Sequence, residues 1–261
     1  MSLLTILTSS YNSDLYLKSF LNSVKNQTFK DFELCFEHIS PKKDEIKLIK
    51  SKKFINLNIN YNLEKNLISL PKAWNRMIQR SSSEYICIWN VDDIRTKNSL
   101  ELMISLLDSN ELIDFVYGNY YIVKKFNKFK GKYINESGRE SELKSSMILG
   151  PFFMFRRKVL QNINMFDEQL ISGADYDFAM RLARNYKGMH LDSNLGYYLN
   201  SGKGLSTSKS SLQELERTVV ELRYKLDVIN TDLIYEARKK YDIENLVINN
   251  LKVKIKQIDN F

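Results

Sequence analysis

Along the N-terminal third of the chain, short apolar runs alternate with stretches of helical periodicity. Residues 3–7 form an apolar run closed by Thr8-Ser9-Ser10, the pattern of a buried strand that opens into a polar loop. Leu17, Phe20, Leu21 and Val24 then recur at helical spacing within residues 15–24. Residues 32–36 predict a second strand, Ile46 and Ile49 a short helix, and residues 55–59 a third strand. Pro71 fits the first turn of a helix, where its missing N–H costs nothing, and Ala73, Trp74, Met77 and Ile78 follow on that helix. Residues 84–90 predict a fourth strand that stops at Asp92-Asp93. Strand and helix in strict alternation predict a parallel sheet with crossover helices. Ligands of such sheets bind beyond the carboxyl ends of the strands, where Asp92-Asp93 and the loop 8–12 both lie.

Beyond residue 95 the rhythm changes. The pattern predicts a helix over 99–107, strands over 115–117, 120–123 and 152–155, and a short helix over 159–163. An amphipathic helix over 175–185 carries Phe178, Ala179, Leu182 and Ala183 on one side, and 195–199 reads as a late strand. From Ser211 onward the sequence reads as helical throughout. Leu212, Leu215, Val219, Leu222 and Leu226 form an apolar stripe, and residues 243–258 predict a second helical segment. The stripe fits packing back on the domain, pairing two copies as a homodimer, or lying peripherally on a membrane with lysines toward anionic lipid.

Composition narrows the class. Of 261 residues 43% are hydrophobic, which excludes global disorder, and three prolines with nine glycines leave no flexible linker. One α/β domain with a helical tail is the simplest organisation. The net charge of +8 favours anionic partners such as nucleotide phosphates, phosphate-bearing glycans or an anionic membrane face, although the basic residues read as dispersed. A nucleic-acid partner is not expected. Cys35 and Cys87 each sit within an apolar run and read as buried free thiols of a reducing compartment. The N-terminus has no basic signal-peptide region and the chain has no long apolar span, so a cytoplasmic location is expected.

Three features could carry chemistry. The adjacent carboxylates of Asp92 and Asp93 at a strand end suit a divalent cation that neutralises a diphosphate leaving group, although Asp pairs also occur simply as turn residues. Gly173-Ala174-Asp175-Tyr176-Asp177 places acids at a helix start. That is either dipole compensation or a carboxylate poised to deprotonate a hydroxyl. The loop 8–12 offers hydroxyls and the Tyr11 ring for a nucleobase or ribose, or is an ordinary helix entry. No phosphate-binding glycine loop is present, and His38 and His190 lack metal-ligand spacing.

The order of these pieces resembles the family-2 glycosyltransferases of GT-A fold. The opening Leu3-Thr-Ile-Leu-Thr-Ser-Ser-Tyr-Asn is similar to that family's first strand and loop, and Asn26-Gln27-Thr28 leading to Glu33 to its link into the second strand. Ala73-Trp74-Asn75, Ser83-Glu84-Tyr85-Ile86 and Asp92-Asp93 resemble its next block. Phe155-Arg156-Arg157, Phe166-Asp167-Glu168 and Asp175-Tyr176-Asp177 with Arg181 resemble the last.

The resemblance implies an α/β, Rossmann-like, mostly parallel sheet flanked by helices. A GT-A domain would span 1–205, with a nucleotide-sugar-binding half 1–95 and an acceptor-binding half 96–205, followed by a C-terminal helical extension 206–261. It implies an inverting enzyme that moves a sugar from a nucleotide-sugar, UDP-sugar first, to a hydroxyl of a surface-glycan or lipid-linked acceptor. Asp175 would be the catalytic base. Asp93 with Asp92 would hold Mn²⁺ or Mg²⁺ and the donor diphosphate. Thr8, Ser10 and Tyr11 would line the nucleoside pocket, with Glu37 standing in for the usual acids after the second strand and Lys203 closing over the donor phosphates.

Two positions depart from the family pattern: Asn90 replaces the first acid of the usual D-x-D, and the second strand ends Glu37-His38-Ile39-Ser40. They motivate an alternative, a degenerate domain acting as a binding or scaffold subunit. Sugar-1-phosphate nucleotidyltransfer is a further alternative, disfavoured because the glycine-rich loop of those enzymes is missing after the first strand.

Overall fold

Strand β1 (Leu4–Ser10) runs through the middle of the protein, and its neighbours on both sides are parallel to it. The computed structural model describes residues 2–202 and 211–255. After β1 come α1 (Leu17–Lys25), β2 (Phe32–Ile39), α2 (Lys43–Ile49), β3 (Ile59–Glu64), α3 (Leu70–Gln79), β4 (Tyr85–Ile88) and β5 (Ile94–Arg95). Next are α4 (Ser99–Asp108), β6 (Phe115–Val123), β7 (Lys132–Ile134), β8 (Met154–Arg156), α5 (Leu160–Ile163), α6 (Ala174–Asn185) and β9 (Gly188–Leu199). The chain closes with α7 (Ser211–Arg223), α8 (Thr231–Lys240), β10 (Asn245–Ile248) and β11 (Leu251–Lys254). The main sheet has the order β3-β2-β1-β4-β8-β6-β9-β5, with β7 added beside β6. β1 to β4 are mutually parallel, β8 runs against both β4 and β6, and β9 is parallel to β6. This is the expected mostly parallel α/β sheet.

Alternation along the strands divides the core into two layers. Ile6, Leu34 and Phe36 face one way, onto Leu17, Phe20, Leu21 and Val24 of α1 and the apolar side of α4. Burial of each such side chain is worth about 1.5–3 kcal/mol, enough to fix α1 against the sheet. Leu7 and Cys35 face the other way, onto Ala73 and Met77 of α3, Phe178 and Leu182 of α6, and Val219 of α7.

Four expectations are corrected. The third strand lies at 59–64 rather than 55–59. Residues 51–57 form turns that bury Phe54 and leave Ile55 67% exposed, and β3 reads polar because it is a sheet edge. The two strands expected over 115–123 are one strand, irregular around Gly118 where Leu191 O approaches so closely that a Cβ would lie 2.6 Å from it. β9 begins at Gly188, well before the expected 195. The helix expected over 243–258 is not found over its described residues, 243–255: β10 and β11 make a hairpin whose turn residues Asn249 and Asn250 are both left-handed (φ 51° and 64°). Leu246 and Ile248 alternate inward there, a period of two that lysine-rich helical spacing had masked.

The apolar stripe of α7 packs back on the domain. Leu215, Val219 and Tyr224 are buried in the same layer as α3 and α6, with Leu222 and Leu226 against its edge.

Candidate active site

The parallel register of β1, β2 and β4 brings three loops to one rim. Leu7 pairs with Ile88 and Ser10 with His38, so the loop after β1, the end of β2 and the acidic turn after β4 are neighbours. Thr8 Oγ1 donates to Trp89 O at 2.8 Å, tying the first loop to the acidic turn. The turn is tight: Asp93 N donates to Asn90 O at 3.1 Å and the Trp89 indole N–H donates to Asp93 O at 3.1 Å.

Asp92 and Asp93 differ sharply in setting. The Asp93 side chain is buried. Its Oδ1 accepts from Leu199 N at 3.2 Å and its Oδ2 from the Asn90 side chain at 3.4 Å. Burial and the adjacent Asp92 push its carboxyl well above the ordinary range. Asp92 is half-buried, and burial raises its carboxyl too. Two crowded acids stay raised although the buried Arg95 partly offsets Asp93, so the pair is short of positive charge, which is the electrostatic condition a divalent cation satisfies. Among the described residues no group of three or more Asp, Glu, His or Cys converges, so these two acids would act with phosphate oxygens and water rather than as a full protein cage.

Asp175 lies at the start of α6 and opens into a cleft of about 680 Å³. The cleft takes in Asn90 at the rim, Tyr120 and Tyr198 from the sheet, Tyr176 beside Asp175, and Arg217 of α7. Burial and the nearby Glu216 push the Asp175 carboxyl up to about 6, against the pull of hydrogen bonds from its own and the Tyr176 backbone N–H, the latter at 2.8 Å. A carboxylate with a pKa near neutrality inside a cleft is matched to proton abstraction.

The other expected residues take several positions. The Ser10 hydroxyl is buried against the Ser13 hydroxyl, which donates to Glu45 at 3.0 Å, and Thr8 is spent on Trp89, so both hold the loop's shape. Tyr11 is 49% exposed at the rim. Glu37 does not offer a free carboxylate. Strand alternation turns it toward α3, where Arg80, Arg76 and the Asn62 side chain (2.7 Å) enclose it completely. The neighbouring His38 points to the opposite face, with Nδ1 3.1 Å from the Tyr61 hydroxyl. The cleft around Asp175 is lined by neither Glu37 nor Thr8, Ser10, Tyr11, Asp92 or Asp93, so Asn90 is the link between its wall and the acidic turn. Lys203 lies outside the described residues.

The contribution of α7 was not anticipated. Gln213, Glu214 and Arg217 line the cleft, and Glu216 behind them accepts backbone hydrogen bonds from the loop before α6. A sequence signal existed: Glu216 and Arg223 are seven residues apart, on the helix face of Val219 and Val220, where isolated surface charges do not belong.

The profile of glycosyl transferase family 2 matches residues 5–164. The chain belongs to this family. Among relatives of this family-2 chain, an uncharacterized glycosyltransferase of Methanocaldococcus jannaschii is 26% identical over 194 residues, 71% of this chain and 66% of that protein. An Escherichia coli UDP-Glc:α-D-GlcNAc-diphosphoundecaprenol β-1,3-glucosyltransferase is 29% identical over 133 residues, 51% of each chain. The chain thus spans between about half and two thirds of the length of these curated relatives. The Staphylococcus aureus TarS 1–349 structure in complex with UDP-GlcNAc superposes with a TM-score of 0.68 at 18% identity, covering 92% of this chain and 72% of that one. A Pyrobaculum calidifontis mannosyltransferase in complex with GDP-Man and Mn²⁺ gives 0.63 at 12%, covering 92% and 68%. At these identities the two structures speak for the fold.

Proposed function

We propose that this family-2 chain transfers a sugar, with inversion, from a nucleoside-diphosphate sugar to a hydroxyl of a lipid-linked or surface-glycan acceptor. UDP is the first donor nucleotide to test, because the E. coli relative is named for a UDP-sugar and TarS was solved with one. The lipid-linked acceptor is favoured by the diphosphoundecaprenol in the names of the E. coli and Campylobacter jejuni relatives. The observation that carries the reading is Asp175, a carboxylate raised to about 6 in a cleft whose wall continues through Asn90 to the acidic turn.

Asp175 takes the proton of the acceptor hydroxyl, and the oxygen attacks the anomeric carbon from the face opposite the leaving group. The bond from that carbon to the β-phosphate oxygen breaks, and the nucleoside diphosphate departs with the electron pair. A single displacement of this kind needs one base and one stabilised leaving group. Asp92 is the better placed acid to meet a Mn²⁺ or Mg²⁺ ion with the donor, because Asp93 is committed to Asn90 and Leu199. Such an ion would offset the charge of the diphosphate. Tyr11, exposed at the rim, suits the nucleobase.

Residues 124–132 hold five exposed lysines, with Phe129 55% exposed among them, and they follow β6 at the same rim. This concentration, missed when the basic residues were read as dispersed, fits an anionic bilayer face that carries the acceptor. Among the described residues no helix is long and apolar enough to cross a membrane.

Calorimetry with UDP, dTDP and GDP, with and without Mn²⁺, tests the donor site. Mn²⁺-dependent binding of one nucleotide is expected, lost in Asp92→Ala and kept in Asp175→Asn. No binding of any nucleotide by folded wild type would overturn the proposal and favour a scaffold subunit.

A further inference from the structure

The loop that leads into α6 is held by a side chain of α7. Glu216 of α7 is fully buried, and its carboxylate accepts the backbone N–H groups of Ile171 (2.9 and 3.0 Å), Ser172 (2.6 Å) and Gly173 (2.8 Å). The Tyr241 hydroxyl donates a further bond at 3.1 Å. Three successive amides at a helix start form an anion-binding nest, and the free N–H groups there ordinarily seek an anion or water. Here the anion is built in. Gly173 makes the approach possible, since a Cβ at that position would lie 3.2 Å from the Glu216 Cβ. Asp175 follows this nest by two residues, on the first turn of α6.

We propose that Glu216 is a positioning residue for Asp175: by filling the amide nest of residues 171–173 it fixes the entry of α6 and places a buried negative charge behind the Asp175 carboxyl. The importance of this for catalysis rests on Asp175 being the base. On α6, Asp177 is turned inward and consumed by Arg181 and Arg223. Tyr176 is its direct neighbour. From α7, Glu214 lines the cleft, and Arg217 is paired with Glu221 at 2.7 Å. From the sheet the facing groups are the phenols Tyr120 and Tyr198, and Tyr241 reaches Glu216 from beyond α8. Glu216 is therefore the one buried carboxylate among these that is paired with amides and a phenol rather than with a cation. Hydrogen bonds from amides and a phenol leave its formal charge in place, so it disfavours ionisation of Asp175.

The test follows the Asp175 carboxyl directly, by ¹³C NMR titration of protein labelled at aspartate Cγ, with Asp175→Asn identifying the resonance. In Glu216→Gln, which keeps a carbonyl acceptor but loses the charge, the Asp175 midpoint should fall by about half a unit or more from its wild-type value. In Tyr241→Phe, which removes a donor from Glu216 and leaves its charge less neutralised, the midpoint should rise. Any pH–rate profile should move its acid limb in the same directions. Midpoints that stay at the wild-type value in folded variants overturn the proposal. Should Glu216→Gln fail to fold, Tyr241→Phe alone decides it. A failure of the catalytic reading looks different: Asp175→Asn would retain transfer while the midpoint shifts persisted.

Discussion

Asp175 joins two opposing demands. Its raised carboxyl pKa means that the folded state favours the neutral acid, whereas catalysis needs the anion. Activity should therefore rise with pH through about 6, and kcat/KM should fall with an acid limb near that value. Replacing the base, Asp175→Asn, should cost roughly 10²–10⁴ in turnover with nucleotide binding preserved, as steady-state kinetics beside calorimetry would read. The same shift sets the sign for stability. A carboxyl raised above its unfolded value of about 3.9 destabilises the fold progressively once pH exceeds that value. Asp175→Asn should thus melt higher than wild type at pH 8, with the gap closing toward pH 4. An equal melting temperature at pH 8 would mean that the carboxylate is not held at a cost. At Glu37 the residue type alone misled: an acid at a strand end was read as a ligand for a base, yet alternation handed it to Arg76 and Arg80.

The element that decides the architecture of the site is α7. Its Arg223 is fully buried between Asp167 (2.7 Å) and Asp177 (2.9 Å), joining the loop before α6, α6 itself and the C-terminal segment. Asp177 faces two guanidiniums, Arg181 and Arg223, and is held below the ordinary carboxylate range despite complete burial. Asp167, with one guanidinium and the Asp177 charge nearby, is pushed up by its burial. The β10–β11 hairpin closes on the same acids, with Val247 N donating to Asp167 Oδ1 at 2.8 Å and Glu168 N to Val247 O at 2.7 Å. Removing the shared cation strands the buried Asp167 and leaves Asp177 with Arg181 alone. Arg223→Ala should destabilise the protein by about 3–5 kcal/mol, measurable by urea denaturation at neutral pH. The contribution of Asp177 is present above its unfolded pKa of about 3.9 and is lost as pH falls through the lower folded value, so the penalty of Arg223→Ala should shrink in acid.

At the scale of the whole molecule, α7 and α8 are part of the core. Leu215, Val219, Val220 and Ala237 are buried in the layer that holds Phe178 of α6 and Met77 of α3. A chain cut after residue 205 should expose that layer, bind a hydrophobic dye and lose its cooperative thermal transition. The rim surface is the second whole-molecule feature. Wild type should sediment with vesicles containing anionic lipid and not with neutral ones, with binding weakened by salt. Neutralising Lys124, Lys125, Lys128, Lys130 and Lys132 to Gln should remove that binding and leave nucleotide affinity unchanged. Equal sedimentation by the variant would discard this surface as the docking face.

The sequence by itself determined the α/β rhythm through β4 and the family, and it marked two acidic motifs as candidates for chemistry. Those properties are written locally, in apolar spacing, a helix-starting proline and short motifs around Asp93 and Asp175. Even there β3 was misplaced, because an edge strand half-covered by neighbours has no apolar run to mark it. Tertiary structure alone decided which acids are free. Asp92 and Asp93 are adjacent in sequence and similar in chemistry, yet the turn leaves one half-buried and the end of β9 seals the other. It also decided that α7 reaches the cleft and that the tail is a hairpin. These follow from contacts such as Arg223 with Asp167 and Glu216 with Gly173, between residues more than forty positions apart, where no local pattern records the partner.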